Sequence, residues 1–212
     1  MKKTPVISGY CSIRSGKVVV DGKVLFEASS GSFSDFVAAI YRQFTISYPK
    51  FHKMDNLGKL GFLTAELLLK ERKISERYSG DQTGVILMNS ASSLDTDRRH
   101  QETIKNRGEY FPSPAVFVYT LPNVLIGEIC IRHKFSGEGN FFVMEKFNPS
   151  FTTNYISQLF YSNIVECCIT GWVEIDGSNF ESVLFLVENN EGTETGIVNF
   201  EAAAIESIYN TK

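Results

Sequence analysis

The side chains able to move a proton or attack a carbonyl are few: three histidines, four cysteines and a run of serines. His52 lies in "YPKFHKMD" (residues 48–55), close to Asp55. A His–Asp couple is a general base with its orienter. No nucleophile stands near it, so a surface-loop histidine is the better reading. His100 follows Arg98 and Arg99 in a polar run and is expected in solvent. His133, in "IRHKF", falls at an expected helix end, where a positive side chain meets the helix dipole favourably. Ser90, Ser92 and Ser93 with Asp95 carry the atoms of a serine nucleophile, but no GxSxG elbow surrounds them. Cys11, Cys130, Cys167 and Cys168 form no CxxC pair, and their spacing does not suit zinc. Each is expected as a small buried hydrophobe; the opposing reading makes one of them the nucleophile of a free-standing acyl-transfer enzyme. "GSNFE" and "SGEGN" lack the trailing Lys and Ser/Thr of a phosphate loop.

The elements that must position these residues alternate in type. "PVISGYCSI" (5–13) reads as a strand, and "KVVVDGKVLFEA" (17–28) as a hairpin turning at Asp21-Gly22. "SFSDFVAAIYRQF" (32–44) is a helix with Ser32 or Ser34 as its N-cap. "MDNLGKLGFLTAELLLKER" (54–72) is a second helix, capped by Asp55, in which Gly58 and Gly61 are expected to permit close packing. "TGVILMN" (83–89) is a buried strand. A polar helix over 92–108 stops near Gly108. "SPAVFVYT" (113–120) reads as extended, and the next helix takes Pro122 into its first turn. "NFFVMEK" (140–146) is a strand, "SFTTNYISQLFYSNIV" (150–165) a helix, "CCITGWVEI" (167–175) and "SVLFLVEN" (182–189) strands, and "VNFEAAAIESIY" (198–209) a short helix. Cys167 and Cys168 are expected to face opposite sides of a sheet. Such alternation predicts an α/β layered fold, with helices on both faces of a mixed, mostly parallel sheet.

Bulk properties narrow the function classes. The chain has 212 residues, 43% of them hydrophobic and 21% charged, which suits a single globular domain over residues 1–212. A formal charge of -3 without basic runs excludes an extended nucleic-acid footprint. "MKKTPVISGYCSIRSG" has no apolar h-region, and no stretch of about 18 apolar residues predicts a membrane span. The expected location is the cytoplasm.

Four segments, in order, carry a resemblance. They are "VISGYCSIRSG", "KMDNLGKLGFLTAELLL", "TGVILMNSASSLDTD" and "SPAVFVYTLPNVLIGEICIRHKFSGEGNFFV". Together they resemble the N-terminal half of a β-ketoacyl-acyl-carrier-protein synthase, a thiolase-like condensing enzyme. The last is similar to the family's "SPFFVP…PN…G…I…G" approach to the nucleophile elbow. The family's cysteine falls at Phe147 or, if Gly139 is an insertion, at Lys146. A phenyl ring has no lone pair for a thioester, and a lysine is protonated near neutrality unless desolvated. The family's glycine-rich turn is replaced by "NPSF", and nothing C-terminal to His133 is a histidine, whereas synthases place two in their second half.

The resemblance therefore implies a non-catalytic subunit of the chain-length-factor type, which pairs with a full-length ketosynthase. It implies an acyl carrier protein as a further partner through the complex, no cofactor and no metal. The implied pathway is fatty-acid or polyketide-like, of the aryl polyene or flexirubin-type pigment class. The implied dimer strand comprises Asn140, Phe141, Phe142, Val143 and Met144. The residues facing the partner's acyl tunnel are Ala115 and Val116, followed by Phe117 and Tyr119. The third reading is a homodimeric acyl-binding scaffold. After "CCITGWVEI" the chain is expected to close its sheet through "SVLFLVENNE" (182–191) without the family's long loops.

Overall fold

The computed structural model describes residues 4–28, 31–106, 108, 111–189 and 198–211. The expected end of the last long strand run, at 190–191, lies outside the described residues, as do positions 1–3 of the N-terminal segment.

The chain begins with β1 (Pro5–Arg14) and the hairpin β2 (Lys17–Val20) and β3 (Lys23–Glu27). Asp21 and Gly22 join the hairpin with φ of 49° and 79°, the left-handed pair that a two-residue turn requires. Helix α1 (Phe33–Gln43) starts at Ser32, whose side chain accepts from the Asp35 N–H. Helix α2 (Asn56–Leu69) starts at Asp55, which accepts from the Gly58 N–H at 2.8 Å. Apolar side chains surround α2 almost completely, so it is buried all round. Gly61 lets it approach the next layer: a Cβ there would lie 2.5 Å from Leu125 Cδ2. After the short α3 (Ile74–Arg77) come β4 (Thr83–Asn89), α4 (Leu94–Ile104), α5 (Pro114–Val118), α6 (Val124–His133) and β5 (Gly139–Val143). The chain continues through α7 (Pro149–Tyr161), β6 (Cys167–Asp176), β7 (Asn179–Asn189), β8 (Val198–Asn199) and α8 (Ala202–Asn210).

The strands form one mixed sheet in the order β3-β2-β1-β7-β6-β4-β5, with β8 also on β1. Helices cover both faces, the three-layer α/β arrangement expected. One core holds Ile13, Leu63, Ile169 and Leu184 together with side chains of α1, α2 and α6. The other holds Ile86, Phe160, Phe185 and Ile205, with side chains of α7 and α8. Full burial of such a side chain contributes about 1.5–3 kcal/mol. Cys167 enters the first core and Cys168 the second, on opposite sides of β6 as expected.

The largely parallel sheet is corrected. Only β5–β4 and β4–β6 run parallel; β6–β7, β7–β1, β1–β2, β2–β3 and β1–β8 are antiparallel. Parallel neighbours need a long crossover, which α4–α6 and α7 supply. A tight turn between Asp176 and Asn179 instead reverses β6 into β7.

Two local expectations are also corrected. Residues 114–118 are helical, not extended: Ser113 accepts from the Val116 N–H, and Pro114 occupies the first turn. Local capping outweighs the strand preference of "AVFVY". Pro122 lies just before α6, which follows Asn123. Among the described residues no helix is long and apolar enough to cross a membrane.

Candidate functional site

The ends of β4, β5 and β6 that point toward α4 and α7 form the rim where open α/β sheets bind ligands. Here β5 hands over to α7 through residues 144–148. Asn148 caps the helix by accepting from the Phe151 N–H at 2.9 Å, and Pro149 follows in the first turn. The local code for a strand-to-helix elbow is thus complete, yet the residue presented there is Phe147. It points into the second core and is 8% exposed. Its ring lies 4.6 Å from Tyr209, 6.0 Å from Trp172 and 6.4 Å from Phe185. Lys146, the other candidate for this position, is exposed.

Tyr209 is held in place from several sides. Its hydroxyl donates to Glu181 Oε1 at 2.7 Å. The Arg14 guanidinium donates to the Tyr209 carbonyl at 2.6 Å and also to that of Thr211. The last turn of α8 is thereby clasped over the elbow.

The remaining polar candidates are engaged in structure. Asp55 accepts from Gly58 N–H and from Thr96 Oγ1 at 2.6 Å, whereas the His52 ring lies against Tyr41 and Phe51. The expected surface reading of His52 thus stands beside an Asp55 that caps a helix. Ser90 donates to Glu174 Oε2 at 2.5 Å, Ser92 folds onto Asn89 through its N–H, and Ser93 donates to the Thr120 carbonyl at 2.6 Å. Asp95 accepts from Asn56. None of these serines has a histidine partner. The His100 ring meets Phe117 at 5.3 Å.

His133 Nε2 lies 2.8 Å from Glu66 Oε1, and Arg132 grips the same carboxylate through Nε and Nη2, each at 3.0 Å. Burial pushes Glu66 up, but the close approach of His133 and the hydrogen bonds of Arg132 outweigh it and hold the carboxyl below its usual range. Sequence reading placed His133 at a helix end and missed its pairing with Glu66, because α2 and α6 are far apart along the chain.

The surroundings of all four thiols favour the protonated form. Burial pushes up Cys11, Cys130, Cys167 and Cys168, with Cys130 the only one not fully buried. A thiol so placed is a poor nucleophile. Among the described residues no group of three or more His, Cys, Asp or Glu is arranged to hold a metal.

The expected partner-facing residues sit on two surfaces. Helix α5 exposes Ala115, Phe117 and Val118, while Val116 and Tyr119 are half-buried. Tyr119 donates to Glu128 Oε1 at 3.3 Å, and Tyr48 donates to Oε2 of the same buried carboxylate at 3.1 Å. This pair anchors the end of α5 to α6. The second surface is β5, an outer strand of the sheet. Phe141 packs toward the first core and Phe142 toward Phe151 and Tyr155, while Val143 is 57% exposed. Asn140 donates to the Tyr155 hydroxyl at 2.8 Å. Met144 lies just past the strand, its N–H on the Asn89 carbonyl at 2.8 Å.

No family model matches the chain, and no curated protein matches it. Solved structures do. The ishigamide ketosynthase/chain length factor superposes with a TM-score of 0.68 at 16% identity, over 90% of this chain and 63% of that one. A type II polyketide synthase structure, a ketosynthase with its acyl-carrier protein, gives 0.63 at 12% identity, again over 90% and 63%. The ketosynthase ApeO in complex with its chain length factor ApeC, from Xenorhabdus doucetiae, gives 0.55 at 12% identity, over 90% of this chain and 81% of that one. The chain therefore spans just under two thirds of the length of the first two structures. Its α/β fold with a mixed sheet resembles that of ketosynthases and their chain length factors.

Proposed function

We propose that the chain is a non-catalytic ketosynthase-like subunit of the chain-length-factor type. Residues 1–212 act as one ketosynthase N-terminal-like unit in the cytoplasm. The unit pairs with an active, full-length ketosynthase and meets an acyl carrier protein through that complex. The pathway is fatty-acid or polyketide-like, and the aryl polyene or flexirubin pigment class is the one we assign. The observation that carries this reading is Phe147. At the junction where the resemblance calls for a nucleophile, the side chain is a core aromatic under Tyr209. The raised thiols weigh against a free-standing acyl-transfer enzyme built on another cysteine.

Pairing is supported by the contrast between the two outer strands of the sheet. Outer β3 carries Lys23 and Glu27 at its ends, and its ladder with β2 is irregular at Val18/Val19. Charged ends and a bulge blunt an edge against other chains. Outer β5, "GNFFV", carries no charge and keeps an unbroken register with β4. It is the edge open to a partner strand, and an obligate interface of this kind buries more than about 2,000 Å². A homodimer through the same edge is the alternative, distinguished by the mass of the complex.

The test is an assay of malonyl-carrier decarboxylation and condensation with the isolated chain. No turnover is expected. Turnover that depends on one of the four cysteines, or that survives their removal, sinks the reading.

A further inference from the structure

We propose that the chain holds a binding site for a small, uncharged amphipathic molecule bearing a hydroxyl or carbonyl, in the pocket between the β2–β3 hairpin and the last turn of α8. The proposal is independent of the chain-length-factor reading.

Helices α7 and α8 do not cover the whole of their sheet face. Beyond α8, the alternation of β1 sends Tyr10, Ser12 and Arg14 to that side, opposite Cys11 and Ile13 in the other core. Ser12 pairs with Val19, and Val19 with Val24, so one row across the sheet forms an apolar floor interrupted by a single hydroxyl. Ile208 of α8 supplies the wall. The pocket has a volume of about 520 Å³, and ligand pockets commonly fall between roughly 300 and 1,000 Å³.

Two hydroxyls line it without use. Ser12 is 6% exposed, and its Oγ has no hydrogen-bond partner among the described residues; the same holds for the Tyr10 hydroxyl. Ser12 is enclosed by its neighbours and Tyr10 is half-buried, and both oxygens stay open to the pocket, where a ligand's polar group can pair with them. Burial, then Asp21, pushes the Tyr10 phenol up, which keeps its O–H a donor.

Charge decides the ligand class. The charged groups at the mouth already have partners: Arg14 with the Tyr209 and Thr211 carbonyls, Lys17 with Glu27 at 3.2 Å, and Glu181 with Tyr209. An ionic ligand would have to break one of these contacts or lose its own hydration. A neutral molecule with an apolar body over Val19, Val24 and Ile208 and one polar group at Ser12 and Tyr10 needs neither.

The experiment follows the methyl resonances of Val19, Val24 and Ile208 in the full chain during titration with 4-propylphenol, propylbenzene and 4-propylbenzoate. Saturable shifts centred on those three methyl-bearing residues are expected with 4-propylphenol. Binding should be about tenfold weaker for propylbenzene, which lacks the hydrogen-bonding group, and similarly weaker for the benzoate. Ser12→Ala should narrow the gap between phenol and hydrocarbon, and it removes no existing hydrogen bond. Val24→Trp, at a half-exposed position, should fill the pocket and abolish the shifts while the fold persists. Shifts that do not saturate or that centre on other surfaces overturn the site. Tighter binding of the benzoate than of the phenol overturns the ligand class, and an unchanged gap in Ser12→Ala overturns the role given to that hydroxyl.

Discussion

The ring of Phe147 lies 4.6 Å from that of Tyr209, tilted by 35°, and so the last helix of the chain closes the strand-to-helix elbow from above. Replacing Phe147 with cysteine should therefore not create a reactive elbow. The new thiol would sit beneath Tyr209, Trp172 and Phe185. Alkylation of Phe147→Cys, in a background lacking the native cysteines, is expected to be slow. Adding Tyr209→Ala should accelerate it by at least about tenfold, which asks for only about 1.4 kcal/mol of easier opening. Equal rates in the single and double variants would show that α8 does not close the elbow. Phe147→Ala should cost about 3–5 kcal/mol, measured by denaturant unfolding.

The β5 edge gives a pair of variants with different expectations. Val143 is 57% exposed, so Val143→Lys should change stability by no more than about 0.5 kcal/mol while it weakens association with a partner. Phe142 packs edge-to-face on Phe151 and Tyr155 at 5.1 and 5.0 Å, so Phe142→Asp should lose both stability and association. If Val143→Lys assembles as well as the native chain, β5 is not the interface.

Acid sensitivity should trace to Glu66. Its carboxyl is held below the usual range in the folded chain, so it binds its proton more readily when unfolded. Its contribution is then fully present above the ordinary glutamate value of about 4.3 and is lost as pH falls through the lower folded value. Unfolding free energy measured from pH 7 down to pH 3 should fall less steeply in Glu66→Gln than in the native chain. Arg132→Met should cost on the order of 3 kcal/mol at pH 7, because it removes both guanidinium bonds to a buried carboxylate. Identical pH slopes in Glu66→Gln and the native chain would contradict the assignment.

Much of this was legible wherever the determinant is local. The cap at Asp55, the start of α1 at one of two serines (Ser32 or Ser34, of which Ser32 caps), the Asp21-Gly22 turn and the opposite facing of Cys167 and Cys168 follow from a few neighbouring residues. Residues 114–118 misled because β-branched and aromatic side chains favour strands, while the helix is set by one serine and one proline. The antiparallel half of the sheet was hidden because β1 pairs with β7, nearly the whole chain away, and no periodicity encodes such a pairing. The clasp of Arg14 on α8 and the grip of Arg132 and His133 on Glu66 are equally non-local. From the sequence alone Phe147 is one of two positions without a nucleophile; its place in the core depends on α8, which packs on it from the far end of the chain.

Helix α5 carries the chain-length prediction. Ala115 is exposed and Val116 half-buried, so Ala115→Phe is the cleaner change. With the reconstituted pair, a phenyl ring there should shorten the products. The bias should be soft, since each methylene is worth about 0.8 kcal/mol when buried and pocket discrimination per methylene reaches only about 1–3 kcal/mol. An unchanged product distribution with intact assembly means that α5 does not meet the acyl chain.

The most direct test of a non-catalytic partner subunit is the mass of the complex formed when this chain is co-expressed in turn with each full-length ketosynthase of its source organism, read together with turnover. The prediction is a one-to-one complex that turns over and that loses turnover when the partner's nucleophile is removed. A chain that stays apart from the ketosynthase, or a pair that keeps turning over without the partner's nucleophile, would contradict it.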